Sequence, residues 1–327
     1  MKRTKNATAA TAATLVALAL TATLTTGVTA PSAHAAERIS TAFVLPGAKV
    51  YPEGITTDRR TGDVYVGSYA DGTVYRARPG SRRAEVFLAA GTDGRDTANG
   101  LTVDPQGRLW VTDSTTGVAV YDTRTGARLA HFEATGTTPF FINDLTITPD
   151  GTAYLTDSLR GVIHRVTPEL LAAGTGTLET AYDLHTAPGG LTLNGIVSDP
   201  GGRFLLAVDM TAGVLHRVDL RTGAVSRVTL HGGDLTHADG LALSTDGATL
   251  RVAHNTTNTL TRWHLSRDGR HAHLVRTLTD PSLQIPTTLT HTRGRTLVVR
   301  SQFDKDGPMT PSTGRPTTFT VAALHTL

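Results

Sequence analysis

The stretch "NGLTVDPQGRLWVTDS", residues 99–114, indicates the fold because the chain repeats its pattern. Within it, a short alternating run, a turn that contains Asp and Gly, and a second alternating run predict a β-hairpin. Five related stretches, the last of them degenerate, begin at Glu53, Asn143, Asn194, Asp239 and Thr287. Successive copies start 44 to 51 residues apart, a spacing typical of the blades of a β-propeller.

A third and a looser fourth strand-like run follow each hairpin, as in "GVAVYDTRTG" over residues 117–126. Four antiparallel strands in each of six repeats predict an all-β fold, the six-bladed β-propeller. The ring must close, because an open ring leaves exposed sheet edges. Residues 37–45 and 317–327 are both strand-like. We therefore expect the N-terminal and C-terminal strands to share the last blade.

The first 35 residues predict an export signal. Three basic residues within the first five positions precede a short apolar stretch and then Ala33-His34-Ala35, the order of a secretory signal peptide. We expect cleavage after Ala35 and a single propeller domain over residues 36–327. The mature protein is then expected outside the cytoplasm, extracellular or periplasmic, with no membrane association.

Charge and cysteine content narrow the possible partners. The net charge of +3 comes entirely from the leader, because the rest of the chain carries equal numbers of acidic and basic residues. A basic surface for nucleic acid is therefore not predicted. The chain has no cysteine, so core packing and ring closure must hold the exported domain together. Zinc-protease, serine-hydrolase and phosphate-loop motifs are also absent from the sequence.

The residue before the first glycine of each copy varies, and this variation points to a metal site. The first strand of every propeller blade lines the central channel, so these positions form a ring around the axis. Turn chemistry accounts for Asn or Asp there but not for Glu. Every side chain of the ring offers an oxygen: Glu53, Asn99, Asn143, Asn194, Asp239 and Thr287. Hard divalent cations take such ligands, so we expect a divalent metal, most simply Ca²⁺.

With these motifs the chain resembles the SMP-30/gluconolactonase/luciferin-regenerating family of six-bladed propellers, and more distantly the calcium-dependent phosphotriesterases. The likeness covers nearly the whole mature chain and is strongest at "YPEGI", "FINDLTITPDG", "LNGIVSDPGG" and "HADGLALSTDG". The resemblance implies that Glu53, Asn143, Asn194 and Asp239 hold the metal. It also implies that Asp239 is the catalytic base or nucleophile, and that Asn99 contacts the substrate or the outer shell of the metal.

One position departs from the family pattern. Family members often carry R-x-N-D in the third blade, where the arginine helps to hold a sugar-like substrate, whereas this chain has Phe141-Ile142-Asn143-Asp144. Phe141 argues against a gluconolactone-type substrate and favours a less polar lactone or ester. The candidate substrate contacts are Asn99, Phe141, Asn143 and His237, of which His237 precedes Asp239 by two residues.

The sequence favours a secreted, monomeric, metal-dependent hydrolase that acts on a small-molecule lactone or related ester at the channel. Two alternatives stay open. The first is a non-catalytic binding or scaffold propeller with a structural metal, because a fold does not determine a function. The second is a metal-independent enzyme of the strictosidine-synthase-like type, in which Glu53 works as an acid or base.

Overall fold

The computed structural model describes residues 39–184, 192–325 and 327, and these residues form six β-sheets. The innermost strand of each sheet contacts that of the next, and the sixth contacts the first. This closed ring confirms the predicted six-bladed β-propeller. The signal peptide predicted for residues 1–35 lies outside the described residues. No helix within the described ranges is long and apolar enough to cross a membrane.

The first half of the ring follows the predicted repeat, with the strands of each blade running from the channel outward. The chain enters through β1 (Ser40–Val44). Blade one contains β2 (Pro52–Thr57), β3 (Val64–Ser68), β4 (Val74–Ala77) and β5 (Glu85–Leu88). After a 3₁₀ turn at Thr92–Gly94, blade two contains β6 (Leu101–Val103), β7 (Arg108–Asp113), β8 (Gly117–Asp122) and β9 (Arg128–Glu133).

Blade three adds the single α-helix of the described residues between its strands. It contains β10 (Ile142–Ile147), β11 (Ala153–Asp157), β12 (Val162–Val166), helix α1 (Pro168–Ala173), β13 (Thr175–Thr177) and β14 (Glu179–Asp183). The helix begins at a Thr167 cap, whose side chain accepts a hydrogen bond from Leu170 N, and ends at Gly174. Strand β13 leaves its own blade and pairs in parallel with β9 of blade two.

The second half of the ring repeats the arrangement. Blade four contains β15 (Leu193–Ser198), β16 (Phe204–Asp209), β17 (Val214–Asp219) and β18 (Val225–Arg227). Blade five contains β19 (Thr229–His231), β20 (Ala238–Leu243), β21 (Thr249–His254), β22 (Thr259–Leu265) and β23 (His271–Thr279). A 3₁₀ turn at Pro281–Leu283 leads to blade six, which contains β24 (Leu289–Thr292), β25 (Arg295–Val299) and β26 (Thr320–Leu324).

The two ends of the chain close the ring in blade six. Strand β1 pairs antiparallel with β26, and the sheet order is β1-β26-β25-β24. This pairing confirms that N-terminal and C-terminal strands share the last blade. The hydrophobic core consists of six clusters among the described residues, each lying between two neighbouring blades. Because every blade buries both faces, the core forms a wall around the channel and leaves the inner strand ends available for chemistry.

Candidate functional site

β-Bulges set the direction of four ring side chains. In blade one, the register between β2 and β3 shifts by one residue at Glu53 and Gly54. The same shift occurs at the ring positions of blades three, four and five, which carry Asn143, Asn194 and Asp239. A bulge leaves the extra residue unpaired and turns its side chain in a new direction. The local backbone thus frees these four side chains from the regular alternation of the strand.

The repeated glycine has a packing cause. A Cβ atom at Gly54 would lie 1.9 Å from the Asn99 carbonyl oxygen, and one at Gly195 would lie 2.4 Å from the Asp239 carbonyl oxygen. Both contacts are with the ring residue of the next blade, so neighbouring inner strands approach too closely for a side chain. Blades three and six are the exceptions, because Asp144 and Thr288 stand at the glycine position.

The ring side chains are buried, yet several of their oxygens have no partner. Asn99 is 1 % exposed and Asp239 is 4 % exposed. In the part of the chain that the structure describes, the Oδ1 atoms of Asn99, Asn143 and Asp239 are buried without a hydrogen-bond partner. Burying an unsatisfied polar atom costs roughly 1–3 kcal/mol. Carboxylate and amide oxygens are the ligands that hard cations prefer, so this donor set fits a divalent cation.

Side chains at the end of the second strand orient the ring residues. Asn143 Nδ2 donates to Ser158 Oγ at 3.0 Å. Asn255 Nδ2 donates to Asp239 Oδ2 at 2.8 Å. Two further contacts join Asn194 Nδ2 with Met210 Sδ at 3.5 Å and Thr287 Oγ1 with Ser301 Oγ at 2.7 Å. Each partner follows its ring residue by 14 to 16 positions. The sequence analysis did not identify these partners, although their nearly constant spacing from the ring residues could have indicated them.

Three carboxyl groups, those of Glu53, Asp144 and Asp239, line the channel, where their charges interact. Burial raises the pKa of Asp239 to about 8; the amide groups of Asn255 and Asn194 oppose this shift, and the charge of Asp144 adds to it. Burial and the charges of Asp239 and Asp144 hold the pKa of Glu53 well above its usual range. No basic side chain among the described residues lowers either pKa. When these carboxyl groups are ionised, the ring has an excess of negative charge that a cation would offset.

Asp144 is a member of the site that the sequence analysis did not single out as a ligand or catalyst. Its carboxylate accepts hydrogen bonds from Leu145 N at 2.8 Å and Ile196 N at 3.3 Å, which anchors it between blades three and four. Burial raises its pKa to about 7, although these hydrogen bonds oppose the shift. The signal in the sequence was the replacement of the repeated glycine by a carboxylate.

The metal ligand set would have to include amide oxygens. No three His, Cys, Asp or Glu side chains in the described ranges form a metal-binding group by themselves. Glu53 and Asp239 supply two carboxylates from blades one and five, and Asn143 and Asn194 supply amide oxygens from blades three and four. A mixed carboxylate and amide set suits Ca²⁺ better than Zn²⁺, which prefers thiolate and imidazole ligands.

Aromatic side chains form one wall of the same channel mouth. The Tyr69 and Phe141 rings stack with centroids 6.5 Å apart, and the centroids of the Tyr69 and Phe303 rings lie 5.5 Å apart. The pKa of Tyr69 is raised by burial and by the charge of Glu53, which shows that the wall adjoins the ring. Tyr69, Phe140 and Phe141 also line a cavity of about 470 Å³.

The structure places the remaining predicted contact, His237, at the rim. Its side chain is exposed, and its backbone has a positive φ of 61°. His237 N donates to Met210 O at 2.9 Å, and Asn255 N donates to His237 O at 3.0 Å. These bonds hold the residue between two of the side chains that orient the ring.

A larger cavity of about 710 Å³ lies at the opposite end of the channel, where the inner strands end. Its three buried aspartates are each paired with an arginine of the same turn: Asp58 with Arg60, Asp104 with Arg108, and Asp199 with Arg203. Because arginines already neutralise these carboxylates, the ring end of the channel is the better candidate for a metal site.

Solved structures of similar shape come from several proteins, although neither a protein-family model nor a curated protein sequence matches the chain. A calcium-binding protein, regucalcin, from Agrobacterium tumefaciens aligns with a TM-score of 0.61 and 19% identity over 88% of this chain and 97% of that chain. The chain shares the fold of that propeller.

Two enzymes show the same likeness. A gluconolactonase from Xanthomonas campestris aligns with a TM-score of 0.63 and 18% identity over 88% of this chain and 89% of that chain. A luciferin-regenerating enzyme aligns with a TM-score of 0.62 and 13% identity over 89% of this chain and 96% of that chain. The predicted resemblance is thus confirmed for the fold. The activity has to be argued from the site, because one fold serves many functions.

Proposed function

We propose that this chain is an exported, divalent-metal-dependent hydrolase that acts on a lactone or related ester at the ring end of the channel. The observation that carries the proposal is the set of buried oxygens without partners on Asn99, Asn143 and Asp239, beside carboxyl groups whose pKa values are raised. The shared fold of a calcium-binding protein and a gluconolactonase supports it.

Glu53, Asn143, Asn194 and Asp239 would hold the metal ion, most simply Ca²⁺. Two carboxylates match the charge of one divalent cation, and the amide oxygens extend the ligand set without adding charge. A cation bound there supplies a Lewis acid for the carbonyl oxygen of the substrate.

Asp239 is the residue placed to move a proton. Asn255 holds its Oδ2 atom at 2.8 Å, whereas its Oδ1 atom has no hydrogen-bond partner. Oδ1 would accept a proton from the attacking water, which is general-base catalysis. The same Asn255 contact fixes the carboxylate plane, so the free oxygen keeps one direction during the reaction.

The wall beside the ring favours an apolar or aromatic group on the substrate. Phe141 and Tyr69 present stacked rings 6.5 Å apart where an arginine would favour a sugar. A flat apolar group can pack against such a wall while the ester carbonyl lies over the ring, with Asn99 and His237 available as polar contacts. An aryl ester or an aryl-substituted lactone best matches a site with an apolar wall on one side and polar ring residues on the other.

The test is hydrolysis of a panel of lactones and aryl esters by purified protein, first with EDTA and then with Ca²⁺ restored. We expect activity to depend on the metal, and Asp239→Asn to lower kcat by about 10²-fold or more. Asp246→Asn is the matched control, because Asp246 is an exposed carboxylate in a turn of the same blade.

The other outcomes separate the alternatives. Ca²⁺ binding without turnover of any substrate would favour a binding propeller. Activity that survives EDTA would favour a metal-independent enzyme. Unchanged activity in Asp239→Asn would remove this residue from the mechanism.

A further inference from the structure

Blade five carries a cluster of histidines on its outer strands, far from the channel. His264 lies on β22, His271 and His273 lie on β23, and His231 lies on β19. In the strand register, His273 stands directly across from His264 on one side and from His231 on the other. All four side chains are exposed.

The alternation of the strands places these histidines on one face of the sheet. Ala272, between His271 and His273, is fully buried, and its cross-strand partner Leu265 is 2 % exposed. Since successive side chains of a strand point to opposite faces, the histidines next to these core residues all point to solvent. The cluster is therefore a continuous surface feature that belongs to no hydrophobic core.

The imidazole rings already lie close together. The rings of His231 and His273 stack with centroids 4.3 Å apart and an angle of 7° between their planes. The His231 and His271 rings lie 5.8 Å apart. A metal ion binds imidazole nitrogen at about 2.0–2.1 Å, so two of its ligands lie roughly 3–4 Å from each other. The measured distances are between ring centroids, and no three side chains among the described residues form a metal-binding group in their present rotamers.

We propose that His231, His271 and His273 form a surface site for a borderline divalent transition-metal ion such as Zn²⁺, Ni²⁺ or Cu²⁺. Imidazole is a preferred ligand of these ions and a poor one for Ca²⁺ or Mg²⁺. In the structure the rings stack instead of pointing their nitrogens at one place, so binding requires side-chain rotation. Because the three side chains are exposed, no core packing opposes that rotation. His264 is placed across from His273 as a further ligand.

This site is independent of the proposed channel chemistry. It uses nitrogen ligands on the outer strands of one blade, whereas the ring uses oxygen ligands from several blades. Excess Ca²⁺ should therefore leave metal binding at the histidines unchanged. A loss of the histidine site should in turn leave any Ca²⁺-dependent activity unchanged.

The experiment is calorimetric titration of the untagged, full-length protein with Ni²⁺ and with Zn²⁺ in excess Ca²⁺. We compare the wild type with the double variant His231→Gln/His273→Gln, and with His131→Gln as the control. His131 is a partly exposed histidine on the outer strand β9 of blade two. We expect the double variant to lose one site per chain or to bind at least about ten-fold more weakly, ~1.4 kcal/mol.

A second measurement locates the site without a mutation. Substoichiometric Cu²⁺ should broaden the imidazole NMR signals of His231, His271 and His273 before those of the other histidines. Equal stoichiometry and affinity in the wild type and the double variant would overturn the proposal. So would a loss of binding in His131→Gln, or broadening that begins at other histidines. Circular dichroism of the variants controls for folding.

Discussion

At the scale of single residues, the ring holds more carboxyl and amide oxygens than its own hydrogen bonds satisfy. Asp239 keeps one oxygen bonded to Asn255 and one without a partner, and Asn143 donates its amide to Ser158 while Oδ1 stays unpaired. Folding thus orients these groups at a cost in solvation. A bound cation would recover that cost, which is the physical reason for placing the metal here.

Ser158 should act on the metal through Asn143. In Ser158→Ala the Asn143 amide loses its acceptor at 3.0 Å, so its oxygen is no longer held toward the ring. We expect the Kd for Ca²⁺ to rise by about 10-fold, as for other residues that orient metal ligands. Titration calorimetry measures this change. Ser114→Ala is the control, because Ser114 contacts Thr97 instead of a ring side chain. Equal effects of the two variants would contradict the role.

Phe141 should determine substrate polarity. Phe141→Arg replaces a ring that stacks with Tyr69 by a cation, so an aryl group loses an apolar contact and a sugar hydroxyl gains a donor. We expect the ratio of kcat/KM for an aryl ester to that for a sugar lactone to fall by about ten-fold. Val86→Arg adds the same charge on an exposed part of blade one and should leave the ratio unchanged.

At the scale of the strand, the glycine after the ring residue allows the blades to meet. The bulged inner strands bring the backbone of one blade against that of the next, as at Gly195 and Asp239. The sequence predicted the strand and the ring position, because alternation and turn residues are local signals. It did not predict the bulges, because they depend on how two strands pair.

Gly195→Ala should destabilise the propeller. The new Cβ would lie 2.4 Å from the Asp239 carbonyl oxygen, so the inner strands of blades four and five must separate. We expect a loss of about 1–3 kcal/mol in the free energy of unfolding, measured by denaturant titration. At Gly201 the nearest contact is a side-chain oxygen at 3.1 Å, so Gly201→Ala is the milder control. A neutral Gly195→Ala would contradict the close-approach argument.

At the scale of the whole molecule, closure of the ring brings the charged groups together. Strand β1 pairs with β26, and this pairing completes the channel around which Glu53, Asp144 and Asp239 lie. Each carboxyl comes from a different blade, so their mutual repulsion exists only in the closed ring. The stability of the metal-free protein should therefore depend on pH in a specific direction.

In the metal-free protein, the ring carboxyls should lower the melting temperature as pH rises from about 4 to about 8, whereas the buried histidines His216 and His254, whose pKa values are lowered, act in the opposite direction. Burial raises the pKa of Asp144 to about 7 and that of Asp239 to about 8, whereas unfolded carboxyls titrate near 4. Between these values the two carboxyls bind more protons in the folded state than in the unfolded state, so their contribution to stability is full at low pH and lost toward high pH.

Calcium should raise the melting temperature most at the upper end of that window, where the ring is ionised. Differential scanning calorimetry with EDTA and with Ca²⁺ measures both effects. Asp239→Asn removes one titrating group and should flatten the dependence on pH. An equal dependence on pH in the metal-free wild type and in Asp239→Asn would contradict the pKa assignment.

The repeat, the six blades, the shared last blade and the ring positions could all be predicted from the sequence, because turn residues and alternation act between neighbours in the chain. The bulge at Glu53, the contacts of Ser158 and Asn255 that orient the ring, and the position of Asp144 in the channel come from the tertiary structure. Those features depend on distances between strands and on solvent exclusion. Neither quantity exists until residues from separate blades pack around one axis.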